Sequence, residues 1–292
     1  MNTFSWLIRR EFWENKAIWI VPASVGGLLL LTSLFGKVDI DSMTTTPDIH
    51  AVGGMMLFAF GILFFVVMSL YSTWYLMDCL YADRKDRSVL FWKSLPVSDT
   101  ATVLSKLAMA LIVIPLVYFI AADITTLLIA FIISARASAL IGGALWHLDL
   151  WLKLQELWLY LLVTTTIWYL PVAAWLLLVS AWAKRAVMLW SVLPPVALIL
   201  AGRWILGSDS LALLLSNRLF TGYGTTAFTG HLGGALAVLS DGGGSSVVQG
   251  SVWPLLNPIG FFSSPATWGG AAVGIAFVAG AIQLRLRRSE AS

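Results

Sequence analysis

Few side chains in this 292-residue chain are suited to acid–base or metal chemistry, and they are widely spaced. Asp123 lies within an apolar run, FIAADITTLL. A carboxylate inside a membrane costs roughly 2.5–3.5 kcal/mol and usually faces a cavity or a partner. Asp123 therefore indicates either a transport pathway or proton site, or a helix-packing carboxyl that is protonated or hydrogen-bonded to Thr125 or Thr126. Because no second carboxylate accompanies it, the packing interpretation is favoured.

The other reactive residue types form no catalytic or metal-binding pattern. His50, His147 and His231 fall in three different predicted outer segments, and Asp149 is too close in sequence to His147 to share a helix face with it. The single cysteine, Cys79, excludes an intrachain disulfide and a multi-cysteine metal site. The P-loop, H-E-x-x-H and G-x-S-x-G motifs are absent from the sequence. We therefore expect no enzymatic activity, no metal and no cofactor on this chain.

The composition predicts an integral membrane protein. Hydrophobic residues make up 59% of the chain and charged residues 11%, with a mean hydropathy of +0.86. Soluble domains average about 45–50% hydrophobic residues and about 25% charged residues. Runs near the length of about 20 residues that crosses a bilayer predict an all-α polytopic fold with a single transmembrane domain over 1–292 and no internal repeats. The six predicted spans are 17–35, 51–77, 107–133, 157–182, 186–206 and 266–284.

The distribution of lysine and arginine predicts the orientation of these spans. Thirteen of the 18 basic residues fall on one side of the predicted membrane and five on the other. The positive-inside rule then places both termini in the cytoplasm. We expect 1–16 to form an interfacial helix with an apolar stripe of Phe4, Ile8 and Phe12. On the outer side we expect an interfacial helix within 134–156 and a glycine-rich loop over 208–265, with a short helix near 211–220.

The segment 78–106, between spans 2 and 3, combines charges with large apolar side chains. Topology explains Arg84 and Arg87, but not Phe91 and Trp92, because exposed apolar clusters usually mark binding sites. Pro96 should end a short helix, and Ser98 or Asp99 can cap the next one. The segment therefore predicts a coupling helix that fits a cleft on a soluble partner.

Gly270 and Gly274 form a G-x-x-x-G motif in the sixth span. Small residues at this spacing let helix backbones approach closely. Packing within the subunit and a dimer interface are both consistent with the motif.

The arginine-rich first helix and the basic 78–106 loop together resemble the ABC-2 type permeases, the membrane subunits of type V ABC exporters. The resemblance implies that the first helix and the loop contact a separate ATPase subunit, which binds ATP and magnesium, and that two permease copies pair as a homodimer or heterodimer. The matching residues are Asp83, Arg84, Arg87, Leu90, Ser94, Leu95, Pro96, Val97, Ser98 and Lys106.

These observations predict the permease subunit of an ATP-driven exporter in a bacterial inner membrane, with the bilayer and an ATPase as partners and no nucleic acid. Its apolar spans favour a hydrophobic or amphipathic substrate. A membrane-embedded enzyme and a non-transporting anchor or sensor remain the alternatives. The expected contacts with the ATPase are Asp83, Arg84, Arg87, Leu90, Phe91, Trp92, Leu95, Pro96, Arg9 and Arg10.

Overall fold

Six helices in the computed structural model are long and apolar enough to cross a membrane. The structure describes residues 3–36, 46–85, 98–136, 145–146, 148–229 and 252–290. Within these ranges there is no β-strand, and the single strand-like pairing is an isolated bridge between Phe228 and Leu256. We number the spans in chain order: span 1, Ala17–Phe35; span 2, Met56–Lys85; span 3, Asp99–Arg136; span 4, Leu150–Trp182; span 5, Val187–Ile205; span 6, Pro265–Arg287.

The helices extend beyond several of these spans, and short helices connect them. Span 3 comprises two α-helices joined by a π-helical turn, Met109–Val113. A second π-helical turn, Asn217–Thr221, lies between two short helices, and Trp253–Leu255 is 3₁₀-helical. The α-helices are α1, Thr3–Glu14; α2, Ala17–Phe35; α3, Thr46–Lys85; α4, Asp99–Ala108; α5, Ile114–Arg136; α6, Leu148–Trp182; α7, Val187–Leu206; α8, Ser210–Ser216; α9, Gly222–Ala227; α10, Pro258–Ser263; and α11, Pro265–Glu290.

Spans 2, 3 and 4 form the centre of the bundle, because each packs against the other two. Span 1 lies mainly along span 3, and span 6 lies along span 4. Span 5 is peripheral, and its outward side chains are apolar, including Met188, Val192 and Leu198. Water does not favour such a surface, whereas lipid tails do. The structure therefore agrees with the composition in describing a multi-pass membrane protein.

The first helix, α1, and the last turns of α11 lie at the same end of the bundle, which we call the terminal face. There α1 packs against α4, at the start of span 3. Arg285, near the end of span 6, bonds to Asp99 at the start of span 3. The end of span 2 meets the end of span 4 through Arg84. The spans therefore alternate in direction along the chain.

Span 3 changes helical geometry where Pro115 follows the π-helical turn. Proline has no N–H to donate to the carbonyl one turn earlier, which belongs to Leu111. The Thr166 hydroxyl of span 4 donates to that Leu111 carbonyl at 3.2 Å, and Ser72 of span 2 donates to the Ala110 carbonyl at 3.4 Å. Neighbouring helices thus satisfy backbone groups that the bilayer could not.

The helices on either side of residues 86–97 occupy both ends of the predicted 78–106 loop. Span 2 remains helical to Lys85, and α4 begins at Asp99. Residues 78–85 and 99–106 of the predicted loop are therefore helical. The helices continue past the apolar runs because Asp83 and Lys106, one from each, neutralise each other. The predicted cap is confirmed: Ser98 Oγ accepts a hydrogen bond from the Ala101 amide at 3.1 Å.

The predicted interfacial helix within 134–156 is wrong for Leu148 onward. These residues form the first turns of α6 and continue directly into span 4. The charges and aromatic residues of this stretch gave it an interfacial appearance, but Gln155 and Trp151 turn toward spans 2 and 3. The short helix expected near 211–220 is present as α8 and the π-helical turn after it.

Candidate functional site

The most buried charges of the described residues gather at the terminal face, starting with Glu11 of α1. The predicted stripe of Phe4, Ile8 and Phe12 is only partly correct, because Phe4 is exposed and the buried face centres on Leu7 and Glu11. These two positions are one helical turn apart and share a face. The first helix therefore packs against the bundle through a carboxylate as well as through apolar side chains.

Glu11 is held by four groups. Its Oε1 atom lies 2.9 Å from Lys106 Nζ and 3.1 Å from an Arg10 guanidinium nitrogen. Its Oε2 atom accepts from the Tyr75 hydroxyl at 3.0 Å and from the Asn15 amide at 3.4 Å. A buried carboxylate is stable only when its lone pairs are satisfied in this way.

Lys106 is the centre of this ionic cluster. Its side chain is 3% exposed, and its ammonium group lies 2.9 Å from Glu11 and 3.3 Å from Asp83. Lys106 therefore links α1 to the end of span 2 from its own position at the start of span 3. Lys106 is the shared cation of two carboxylates on different helices. Any movement of α4 would therefore change its distances to both carboxylates.

Arg285 extends the cluster to span 6. Its guanidinium lies 3.6 Å from Asp83 and 2.5 Å from Asp99, the first residue of α4. Asp83 and Asp99 stand on either side of residues 86–97, which lie outside the described residues. The ionic cluster, defined as Glu11, Asp83, Asp99, Lys106 and Arg285, thus joins both ends of that segment to α1 and span 6.

A polar cavity of about 400 Å³ adjoins the ionic cluster between α1, span 2 and span 3. The carboxylates in its wall outnumber the cations, and Trp74 and Asp78 on its span 2 side are exposed. Within the described part of the chain, no three His, Cys, Asp or Glu side chains are arranged to hold a metal ion. Ionic packing between helices is therefore the chemistry that this region displays.

The predicted ATPase contacts fall into four groups. Asp83 is part of the ionic cluster, and Arg10 bonds to Glu11 and Glu14 on its own helix. Arg84 donates to the carbonyls of Ser180 and Ala183, so it neutralises the carbonyl end of span 4. Arg9 is exposed and stacks over Trp6. Outside the described residues lie Arg87, Leu90, Phe91, Trp92, Leu95 and Pro96.

Asp123 has a partner that the sequence did not suggest. Gln155 of α6 donates its amide N–H to Asp123 Oδ1 at 2.8 Å. The hydroxyls of Thr125 and Thr126 bond to backbone carbonyls instead, so their predicted role is wrong. In α-helices these short side chains reach the carbonyl one turn earlier more easily than a neighbouring carboxyl. Gln155 was overlooked because its segment was assigned to an interfacial helix outside span 4.

Gly274 faces span 4 of the same chain, and Gly270 faces Arg218 in the connection between spans 5 and 6. A Cβ atom at Gly270 would lie 2.1 Å from Arg218 Nη2, and one at Gly274 would lie 3.0 Å from Leu170. The Arg218 guanidinium donates to the Trp168 and Ala266 carbonyls and lies 4.1 Å from the Trp168 ring centre. Both glycines therefore make room for contacts within the subunit.

Arg218 fastens the connection between spans 5 and 6 to the end of the bundle opposite the terminal face. Trp168 Nε1 donates to the Arg218 carbonyl at 2.9 Å, and Tyr223 and Thr164 share a hydroxyl hydrogen bond at 2.7 Å. Burial lowers the pKa of Arg218, an effect that nearby Tyr169 opposes. Burial also raises the pKa of Tyr223. The partly buried guanidinium of Arg218 and phenol of Tyr223 thus hold this connection in place.

The fold and these contacts define a multi-pass α-helical membrane protein with an ionic cluster at its terminal face. No family model, curated protein or solved structure matches the chain. The contacts that sequence reasoning missed are those of Glu11, Gln155, Arg218 and Arg285. A signal for Glu11 was available, because it follows Leu7 by one helical turn on a helix that lies against apolar spans.

Proposed function

We propose that this chain is the membrane subunit of an ATP-driven exporter, as its resemblance to the ABC-2 type permeases implies. ATP is hydrolysed on a separate ATPase subunit, which docks on α1 and on residues 86–97. Two copies of the permease, or this chain and a related one, surround the transport path. The proposed cargo is hydrophobic or amphipathic.

The observation that carries this proposal is the ionic cluster. A segment that receives force from a partner must be attached to the spans it moves. Asp83 and Asp99 flank residues 86–97, and Lys106 and Arg285 bind them to α1 and span 6. A displacement of the segment would therefore reach three spans and α1 together. Only a partner whose nucleotide states contact the two segments differently could drive such a displacement.

The proposed orientation places the terminal face in the cytoplasm of a bacterium, with the chain in the inner membrane. The basic residues support it: Arg84, Lys106 and Arg285 all lie at the terminal face, and cytoplasmic segments are enriched in lysine and arginine. In that orientation α1 and residues 86–97 meet a cytosolic subunit, and the Arg218 region faces outward.

The first experiment asks whether an ATPase accompanies the chain. The tagged chain is purified from its native membrane in mild detergent, and the co-purifying proteins are identified by mass spectrometry. We expect a protein with a Walker A motif to co-purify in a fixed ratio to the chain. Purification of the intact chain without such a protein would contradict the proposal.

The second experiment locates the contact. Arg87→Glu and Trp92→Ala should abolish co-purification, because they alter the charge and the aromatic surface of the proposed docking segment. Arg203→Glu and Trp204→Ala are the matched controls, since both side chains are exposed at the opposite end of the bundle. Arg84 is unsuitable for this test, because its contacts with span 4 make its replacement a stability variant. Retention of the ATPase by both docking variants would refute the assignment.

A third measurement separates an exporter from an anchor or sensor. The complex is reconstituted in liposomes, and ATP hydrolysis is measured with and without amphipathic compounds. An exporter should hydrolyse ATP faster with its cargo and should move the cargo across the bilayer. A stable complex whose hydrolysis never responds to any compound would indicate an anchor.

A further inference from the structure

A small cleft lies between spans 2, 3 and 4, inside the predicted membrane region. Its volume is about 40 Å³, and one water molecule needs roughly 10–15 Å³ of such space. The cleft therefore admits a group the size of about three or four waters. Phe119, Trp151 and Trp158 in its wall are only partly buried, so the cleft is open on one side.

The polar side of the cleft has unused hydrogen-bonding capacity. Asp123 Oδ1 accepts from Gln155, while Oδ2 has no partner among the described residues. A half-buried carboxylate oxygen without a partner costs free energy that a ligand in the cleft would recover.

The remaining wall is aromatic, and its position is built into the backbone. Trp158 stacks on Phe58 with ring centres 5.3 Å apart. A Cβ atom at Gly61 would lie 2.1 Å from Trp158, so only glycine at this position admits the indole so close to span 2. Aromatic faces attract cations, and the attraction is strongest where water is excluded.

We propose that this cleft binds the ammonium head of an amphiphilic primary amine, with its apolar tail leaving through the open side. An ammonium group donates three hydrogen bonds and accepts none. It thus matches the free Asp123 oxygen and the aromatic wall. A neutral head lacks the charge that Asp123 attracts, and a bulky quaternary head exceeds the space. Identification of the amine as export cargo rests on the proposed function, whereas its binding does not.

The test uses the full chain, purified without any partner and placed in lipid nanodiscs. The probes are octylammonium, octyltrimethylammonium and octanol, and the readout is the increase in Tm that saturable binding to the folded state produces. We expect octylammonium to stabilise the wild type saturably, with little effect of the other two. Equal shifts for octylammonium and octanol would reduce the site to an apolar groove and overturn the proposal.

Variants link the shift to the cleft. Asp123→Asn keeps the acceptor for Gln155 but removes the charge, and it should weaken octylammonium binding by roughly tenfold or more, as expected for a lost charged hydrogen bond. Asp209→Asn is the matched control, since Asp209 is exposed beside Arg203.

Three further outcomes would overturn the inference. One is an unchanged octylammonium affinity in Asp123→Asn. Another is an Asp123-dependent shift with sodium or potassium chloride alone, which would identify an inorganic cation site. The third is a wild type that no amine stabilises. Amine binding by a chain that co-purifies with no ATPase would preserve this inference and refute only the proposed function.

Discussion

Replacing Lys106 by methionine removes the cation of the ionic cluster while keeping most of its volume. The ammonium lies 2.9 Å from Glu11 and 3.3 Å from Asp83, and its side chain is 3% exposed. Methionine fills the space but leaves both carboxylates without their shared partner. The change therefore tests whether the cluster holds α1 and span 2 to span 3.

The expected loss follows from what each carboxylate retains. Removing one member of a buried ion pair costs about 3–5 kcal/mol, because the other charge stays buried. Glu11 keeps its bonds to Arg10 and Tyr75, and Asp83 keeps Arg285 at 3.6 Å. These remaining partners place the expected loss near the lower limit, about 3 kcal/mol.

Stability is measured in bicelles by steric trapping, which gives the free energy of unfolding under native conditions. The Lys106→Met variant is combined with Glu11→Gln in a double-mutant cycle, and contacting residues should show a coupling of about 0.5–3 kcal/mol. Hydrogen exchange of the Thr3–Glu14 peptide should also accelerate, because α1 loses its link to span 3. The control is the same double-mutant cycle for Arg203 and Asp209, whose side chains are 71% and 61% exposed and lie 3.8 Å apart. For this pair the coupling should stay below about 1 kcal/mol.

A loss below about 1 kcal/mol for Lys106→Met, within the range of surface pairs, would refute the reasoning. So would a coupling equal to that of the exposed control pair. Either result would mean that apolar packing of α1, without the cluster, positions the terminal face.

The remaining predictions concern stability at both ends of the bundle. Gly270→Ala should destabilise the protein by about 1–3 kcal/mol, because its methyl group meets the Arg218 guanidinium. Gly269→Ala, which has nothing within 4 Å of its methyl group, should be neutral or stabilising. Thermal unfolding compares the two variants, and equal effects would contradict the assigned contact. Arg218→Met should cost about 1.5–3 kcal/mol and accelerate hydrogen exchange of Ser210–Ala227, with unchanged exchange as the contrary result. Arg84→Glu should lower the Tm even without any ATPase, since it places an anion at the carbonyl end of span 4; a Tm equal to that of Arg203→Glu would disprove this.

Much of the fold was predictable, because a bilayer imposes strong constraints on sequence. The apolar runs located six spans, and span 1 agrees with its helix at both ends. Errors concentrate where a charged or aromatic residue lies in a helix that continues beyond its apolar run. Span 2 reaches Lys85 and span 4 begins near Leu150, since partners on other helices satisfy their polar residues.

The candidate site was less predictable than the fold. Lys106 attracted notice as a basic residue of one loop, yet its contacts with Glu11 and Asp83 join residues 95 and 23 positions away in sequence. Charge spacing along one helix predicts neighbours on that helix, but it carries no information about pairs across helices. Arg285, near the other end of the chain, could be assigned to Asp99 only from the structure.

The sequence by itself determined that this is a multi-pass helical membrane protein, because hydropathy and run length decide which segments leave water. It also predicted a helix cap at Ser98 or Asp99, because that interaction is local, and the structure shows the cap at Ser98. Only the tertiary structure decided that Lys106 lies between two carboxylates, that Asp123 bonds to Gln155, and that Gly270 makes room for Arg218. The physical reason is that buried polar groups must find partners, and in a helical bundle those partners come from helices distant in the chain.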